Sequence, residues 1–411
     1  MTSPRDASLT ATNSHSAAER PFPPRVLVIF GTRPEAIKLC PLIQALKRER
    51  AFDTLVCVTA QHRQMLDQVL SVFGVTPDFD LDLMQPGQSL TGLSARLIGG
   101  LEKVFVDARP SLAVVQGDTT TTLCGALCAF YAHVPLAHIE AGLRTFDLDA
   151  PFPEEMNRVV TGRLAALHFA ATEWAAENLR REGVADERIE VTGNTGIDAV
   201  LAISSALEAG RLSGIDIPLD SKRKLIVATA HRRESFGEGF VNICQAVAEL
   251  AGREDVQIVW PVHPNPNVQR TVEQTLRGKA NILLIDPLDY LPFVDLMRRA
   301  HLLITDSGGV QEEGPSLGKP ILVLRDKTER PEAVAAGTVK LVGTDRAAIV
   351  REATRLLENP GEYERMARLH NPYGDGHASE RIVRRIGEYF KTNRPAADQD
   401  RAALFKSSAR V

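Results

Sequence analysis

Apolar and polar positions follow two alternating rhythms along this chain. Short runs rich in β-branched residues stand at 26–30, 55–59, 112–115, 136–139 and 189–192, and each predicts a strand. Between them, amphipathic stretches at 34–50, 62–73 and 90–108 predict helices. The second half restarts the pattern, with strand-like runs at 225–229, 256–262, 282–285, 302–305 and 321–324. Repeated strand–helix alternation implies parallel, doubly wound sheets with helices on both faces. The segment 209–224 breaks the rhythm with Gly210, Gly214 and Pro218, so it reads as a linker. The expected architecture is α/β, with two Rossmann-like domains facing a cleft. The expected division is a disordered tail over 1–24, an N-terminal domain over 25–205, a C-terminal domain over 206–375, and a polar tail over 393–411. Ligands of such sheets bind outside the carboxyl ends of the strands.

Composition narrows the function classes. Apolar residues make up 44% and charged residues 24% of the 411 positions, the balance of an ordinary globular protein. The net charge of −4 advertises no nucleic-acid partner. No secretory signal and no bilayer-length apolar run is present, which points to the cytoplasm. Cys40, Cys57, Cys124, Cys128 and Cys244 form no CxxC pair and read as core thiols.

Candidate chemistry gathers where strands end. The first strand runs into Gly31-Thr32-Arg33-Pro34-Glu35, with Lys38 one turn further on. Arg33 and Lys38 could reach a diphosphate, or could be a solvated pair beside a helix cap. No G-x-G-x-x-G follows this strand, so the usual nicotinamide fingerprint is missing. Asp118 and Glu140 end two further strands, and Glu154 lies on the next loop. Clustered carboxylates raise one another's pKa, which suits acid/base work near neutral pH. Alternatively, Asp118 could cap the helix beginning at Thr119, and Glu140 could pair with Arg144. In the second half, Ser307, Gly308 and Gly309 form a strand-to-helix turn where backbone N–H groups can approach an anion, with Glu313 placed to accept from ribose hydroxyls. His231, Arg232 and Arg233 follow the strand at 225–229, while His62 and His263 also follow strands. The ten histidines are scattered with no HxxxH or HExxH spacing, so no metal site is expected.

The runs FGTRPEAIK (30–38), TAQHRQMLDQVL (59–70), GDTTTT (117–122), EAGLRT (140–145), PEEMNR (153–158), HRRESFG (231–237), DYLPF (289–293), TDSGGVQEE (305–313), TERPEA (328–333) and NPYGDG (371–376) resemble the non-hydrolysing UDP-N-acetylglucosamine 2-epimerases of bacteria. The resemblance spans about residues 25 to 390. It implies the two-domain glycosyltransferase-B fold, a homodimer, and a C-terminal helix over 376–392 that packs back on the first domain. It implies Asp118, Glu140 and Glu154 as acid/base carboxylates and His231 as a catalytic or leaving-group-stabilising residue. Arg33 and Lys38 would hold substrate, and Phe293 with the backbone near Leu288 the uracil. Ser307, Gly308 and Gly309 would hold the diphosphate, Glu313 the ribose, and Arg330 would complete the nucleotide site. Leu288 departs from a relative that carries Gln there, so only a backbone contact would survive. Some relatives bind UDP-N-acetylglucosamine at a second site, for which Gln61, Gln64 and His263 are candidates.

The C2–H of an N-acetylhexosamine is not acidic. Without a cofactor, the remaining route breaks C1–O, expels UDP and takes the C2 proton, and a proton then returns to the other face. The product would serve surface polysaccharide precursor synthesis. A glycosyltransferase on the same fold, a UDP-sugar sensor and a hydrolysing epimerase are the rival readings.

Overall fold

The computed structural model describes residues 23–59, 63–83, 85, 87–232, 235–328 and 330–393, with only the backbone of 63 and 64. The expected tails over 1–24 and 393–411 lie almost wholly outside the described residues, as do Gln61, His62 and the side chain of Gln64.

Thirteen strands form two sheets among the described residues. The first contains β1 Arg25–Phe30, β2 Asp53–Val58, β3 Phe79–Asp80, β4 Leu112–Gln116, β5 Leu136–Ala141, β6 Leu167–Ala170 and β7 Ile189–Val191, in the order β3-β2-β1-β4-β5-β6-β7. The second contains β8 Lys224–Thr229, β9 Val256–Pro261, β10 Ile282–Ile285, β11 Leu302–Thr305, β12 Ile321–Val323 and β13 Val339–Leu341, in the order β10-β9-β8-β11-β12-β13. Every pairing is parallel. Strand order reverses between β1 and β4 in one sheet and between β8 and β11 in the other. Such reversals open a crevice at the carboxyl rim.

The helices of the first half are α1 Arg33–Arg48, α2 Arg63–Phe73, α3 Leu90–Ala108, α4 Thr120–Tyr131, α5 Glu154–Leu164, α6 Glu173–Arg181 and α7 Thr195–Glu208. Those of the second are α8 Glu238–Leu250, α9 Pro266–Leu276, α10 Tyr290–Arg299, α11 Gly308–Glu313, α12 Pro331–Ala336, α13 Arg346–Glu358, α14 Pro360–Ala367 and α15 Ala378–Thr392. Parallel strands covered on both faces are largely apolar, as in β4, where every residue is buried and Gln116 alone is polar. All five cysteines are buried free thiols. No helix among the described residues is long and apolar enough to cross a membrane.

The two halves meet along α7. This helix runs through the expected 205/206 division and packs on α1 of the first half and on α10 and α11 of the second. At its start, Asn194 N–H donates to Tyr373 O at 2.7 Å. Gly193 has φ +89°, and a Cβ there would sit 3.2 Å from Gly374 Cα, so a side chain at this crossing would be both strained and crowded. α15 then returns to the first half. Asp198 of α7 accepts its first N–H groups, from Ala378 and Ser379, and Phe390 packs on Phe52 with ring centroids 5.8 Å apart.

Candidate active site

The strand reversal of the first sheet brings together residues distant in sequence. Arg33 and Lys38 stand on α1, just beyond β1, while Asp118 follows β4 and Glu140 lies in β5. Thr32 caps α1 through Glu35 N–H, and Glu35 returns the bond to the Thr32 backbone, a capping box that sets the helix entry. Arg33, Lys38, Met65, Gln116, Asp118 and Glu140 line one cavity of about 460 Å³. Arg33 stands in this cavity on the first turn of α1.

Lys38 is paired with a carboxylate of the same cavity. Its Nζ lies 2.5 Å from Glu140 Oε1, and it lines the same cavity as Arg33. Burial opposes its charge, but Glu140 and Glu312 outweigh burial and raise its pKa. Gln116 Nε2 donates to the other Glu140 oxygen, and Asn194 Nδ2 stands 3.4 Å from Oε1. Glu140 itself has φ +60°, in a bulge where the pairing of β5 with β6 shifts by one residue. A non-glycine residue in that region is strained, and such strain gathers at functional sites.

Neither structural alternative for the two acids holds. Thr119, not Asp118, caps α4, and Arg144 pairs with Glu182 at 2.6 Å, not with Glu140. Asp118 instead faces the Arg158 guanidinium, 3.3 Å from Nε. Burial pushes its carboxyl up to about 6, Arg158 pulls it down, and Glu140 and Glu154 push it up again. Glu154, the first residue of α5, lies near enough to act on Asp118 but does not line the cavity.

The second sheet repeats the arrangement. His231 follows β8, and Asp306 to Gly309 follow β11 across the strand reversal. Asp306, wholly buried, accepts from His231 N and Arg232 N at 2.7 Å each through Oδ2, and its Oδ1 lies 3.1 Å from His231 Nδ1. Burial would raise its pKa, but these contacts hold it below the usual carboxylate range. His263 stacks on His231 with centroids 5.5 Å apart. Ser307 opens α11 without a side-chain cap bond, followed by Gly308 and Gly309. Glu313 is pushed up to about 8 by burial and by Glu312, and it faces Tyr290. Leu288 and Phe293 are half-buried against the hydrophobic core.

Asn194 and Glu312 join the halves, and the local sequence pattern flagged neither. Asn194 Nδ2 donates to Glu312 Oε2 at 3.0 Å while also facing Glu140. Arg330 Nε binds Glu312 Oε1 at 2.5 Å. Burial would raise the pKa of Glu312, and Arg330 and Lys38 hold it down. Asn194 follows β7, so the carboxyl-end rule could have pointed to it. Glu312 is visible only once the two sheets are placed together. Among the described residues no group of three or more His, Cys, Asp or Glu is set to hold a metal ion.

Residues 44–387 match the family model described as UDP-N-acetylglucosamine 2-epimerase. A UDP-N-acetylglucosamine 2-epimerase of Escherichia coli (strain K12) is 55% identical over 376 residues, covering 90% of this chain and 99% of its own length. The crystal structure of a UDP-GlcNAc 2-epimerase from Neisseria meningitidis bound to UDP-GlcNAc is 47% identical, with a TM-score of 0.79, covering 89% of this chain and all of the other. An S. aureus protein in a co-structure with UDP is 44% identical, with a TM-score of 0.77, covering 91% of this chain and 99% of the other.

Proposed function

Because this chain belongs to the UDP-N-acetylglucosamine 2-epimerase family, we propose that it interconverts UDP-N-acetylglucosamine and UDP-N-acetylmannosamine by elimination and re-addition of UDP. One observation carries the mechanism: Asp118 and Glu140 share a cavity with Arg33, at the strand reversal where such sheets bind ligands.

In the proposed reaction a carboxylate of the Asp118–Glu140–Glu154 cluster removes the C2 proton as the C1–O bond breaks. The electron pair of C2–H becomes the C1–C2 double bond, and UDP leaves with the C1–O pair. A second carboxyl returns a proton to the opposite face of C2, and UDP adds back at C1. Two carboxyls in unlike surroundings suit such a pair of roles. Glu140 faces Lys38, Gln116 and Asn194, whereas Asp118 titrates near pH 6. Arg33 and His231 would stabilise departing UDP. Ser307, Gly308 and Gly309 would hold its phosphates, Phe293 and the Leu288 backbone its base, Glu313 its ribose, with Arg330 closing the nucleotide site. Two domains joined along one helix can close over the glycal and exclude water.

The same reading makes the protein a cytoplasmic homodimer that supplies an activated N-acetylmannosamine unit for surface polysaccharide precursors. Proton and phosphorus NMR in D₂O tests the chemistry, with UDP-N-acetylglucosamine alone, after dialysis against EDTA and without nicotinamide. The expected product is UDP-N-acetylmannosamine carrying deuterium at C2. Release of free sugar would indicate a hydrolysing enzyme, and no turnover without an acceptor would indicate a transferase.

A further inference from the structure

The two loops that supply the first-domain site are tied together by one carboxylate that the reaction does not consume. Glu35 is buried, 2% exposed. Its Oε2 accepts from Gly31 N at 3.0 Å and from Thr32 N at 2.7 Å, the turn that leads to Arg33 and Lys38. Its Oε1 accepts from Thr119 Oγ1 at 2.7 Å, in the turn after Asp118, and lies 3.3 Å from Thr122 Oγ1, whose hydroxyl donates to Gln116 O at 2.7 Å. One oxygen therefore serves the end of β1 and the other the end of β4, the two strands between which the sheet order reverses. Burial raises the carboxyl's pKa, and the donors around it pull it down.

The second domain does the same with a different residue. Asp306, after β11, reaches across the reversal to the N–H groups of His231 and Arg232 after β8. A capping box needs only the Thr32 half of the Glu35 contacts. The Thr119 and Thr122 half has no role in ending a helix, and it spans 84 and 87 residues of sequence.

We infer that Glu35 is a positioning residue for the epimerisation, setting the separation of Arg33 from Asp118 by bridging the two loops. The inference rests on the epimerase reading above. It makes reach, not charge, the property that matters. Glu35→Gln keeps the length: its carbonyl oxygen can accept from Gly31 and Thr32, and its NH₂ can donate to the Thr119 and Thr122 oxygens. Glu35→Asp keeps the charge but is one methylene short and cannot serve both turns.

The test compares the two variants with wild type for kcat, KM, C2–H exchange in D₂O, UDP affinity by calorimetry and melting temperature. Glu35→Asp is expected to lose at least about 30-fold in kcat and exchange, since a misplacement of about 1 Å can cost roughly 100-fold. Glu35→Gln is expected to stay within about tenfold of wild type. UDP affinity should change less than kcat in both, because most of the groups proposed to hold UDP lie on the second domain. Glu35→Asp as active as wild type per folded molecule overturns the inference, even if its melting temperature falls. Glu35→Gln more impaired than Glu35→Asp also overturns it, since charge would then be the requirement. Should Glu35→Asp not fold, Thr119→Val read against Thr119→Ser decides: serine keeps the hydroxyl that donates to Glu35 and caps α4, and valine removes it. A loss of about fivefold in kcat from serine to valine, the scale of one hydrogen bond, is expected. A change under about twofold overturns the bridge. A wild type that does not epimerise defeats the epimerase reading itself, a result separate from any variant.

Discussion

Lys38 Nζ and Glu140 Oε1 stand 2.5 Å apart across 102 positions of sequence, at the base of the cavity. With Gln116 and Asn194 on the same carboxylate, three donors fix where Glu140 points. A positioned acid or base contributes typically about 10²- to 10⁴-fold. Glu140→Gln, Asp118→Asn and Glu154→Gln should therefore each lower kcat by about that factor. UDP affinity, measured by calorimetry, should move far less. Near-full activity in all three amides would remove the carboxylates from the chemistry.

Asp118 carries a pH signature of its own. Its carboxyl titrates near 6 in the folded protein and near 3.8 when exposed. The kcat/KM profile should bend near pH 6, and the bend should be absent from the residual activity of Asp118→Asn. Stability follows the same group. The folded state holds this proton more tightly, so its contribution is full below pH 3.8 and is lost as pH rises through 6. Asparagine has no such dependence. Relative to wild type, Asp118→Asn should gain up to about 3 kcal/mol between pH 4 and 7, read by urea unfolding at each pH.

Gly309 offers a clean test of the phosphate turn. An added Cβ would meet nothing nearer than Ser307 Oγ at 3.9 Å, so Gly309→Val should fold normally. Its side chain would project where phosphate oxygens need the backbone. UDP affinity should weaken by about 1–3 kcal/mol, the scale of an unsatisfied polar group. Unchanged affinity in calorimetry would place the phosphates elsewhere.

Much of this was legible in the chain. β10 and β11 lie where their β-branched runs predict, and α3 likewise, because strong periodicity survives tertiary packing. β3 and β13 are too short to signal, at two and three residues. β6, Leu-His-Phe-Ala, was missed because it follows α5 within an alanine-rich stretch that reads as more helix. Arg33, Asp118, Glu140 and His231 stood out because each follows or ends a strand. The partners of those residues did not. Lys38 meeting Glu140, and Asn194 meeting Glu312, depend on strand order and on how the two sheets face each other. Neither is encoded in local periodicity.

His168 makes β6 testable from the other side. It pairs in register with His138, and both are buried. Burial first, and then the neighbouring His138, push its pKa down to about 3 from an ordinary 6.5. The folded state excludes this proton, so the neutral ring's contribution is full above pH 6.5 and declines as pH falls toward 3. His168→Phe should gain about 2–3 kcal/mol on wild type between pH 6.5 and 4.5, whatever its offset at neutral pH. A pH-independent difference in urea unfolding would mean that His168 is already solvated in the native protein.

The irregularity at Glu140 makes residue count part of the site. Ile139 pairs with Phe169 and Ala141 with Ala170, so one position of β5 has no counterpart on β6. Successive side chains of a regular strand face opposite ways. The extra position resets that parity, and Ala141 takes up the place in the alternation that Glu140 would otherwise occupy. Deleting Ile139 would restore an even ladder with Ala141 still opposite Ala170, and would move Glu140 into the regular position opposite Phe169. The carboxylate could then be present in the sequence and still point away from Lys38. For this stretch, spacing constrains the chain as firmly as residue identity does.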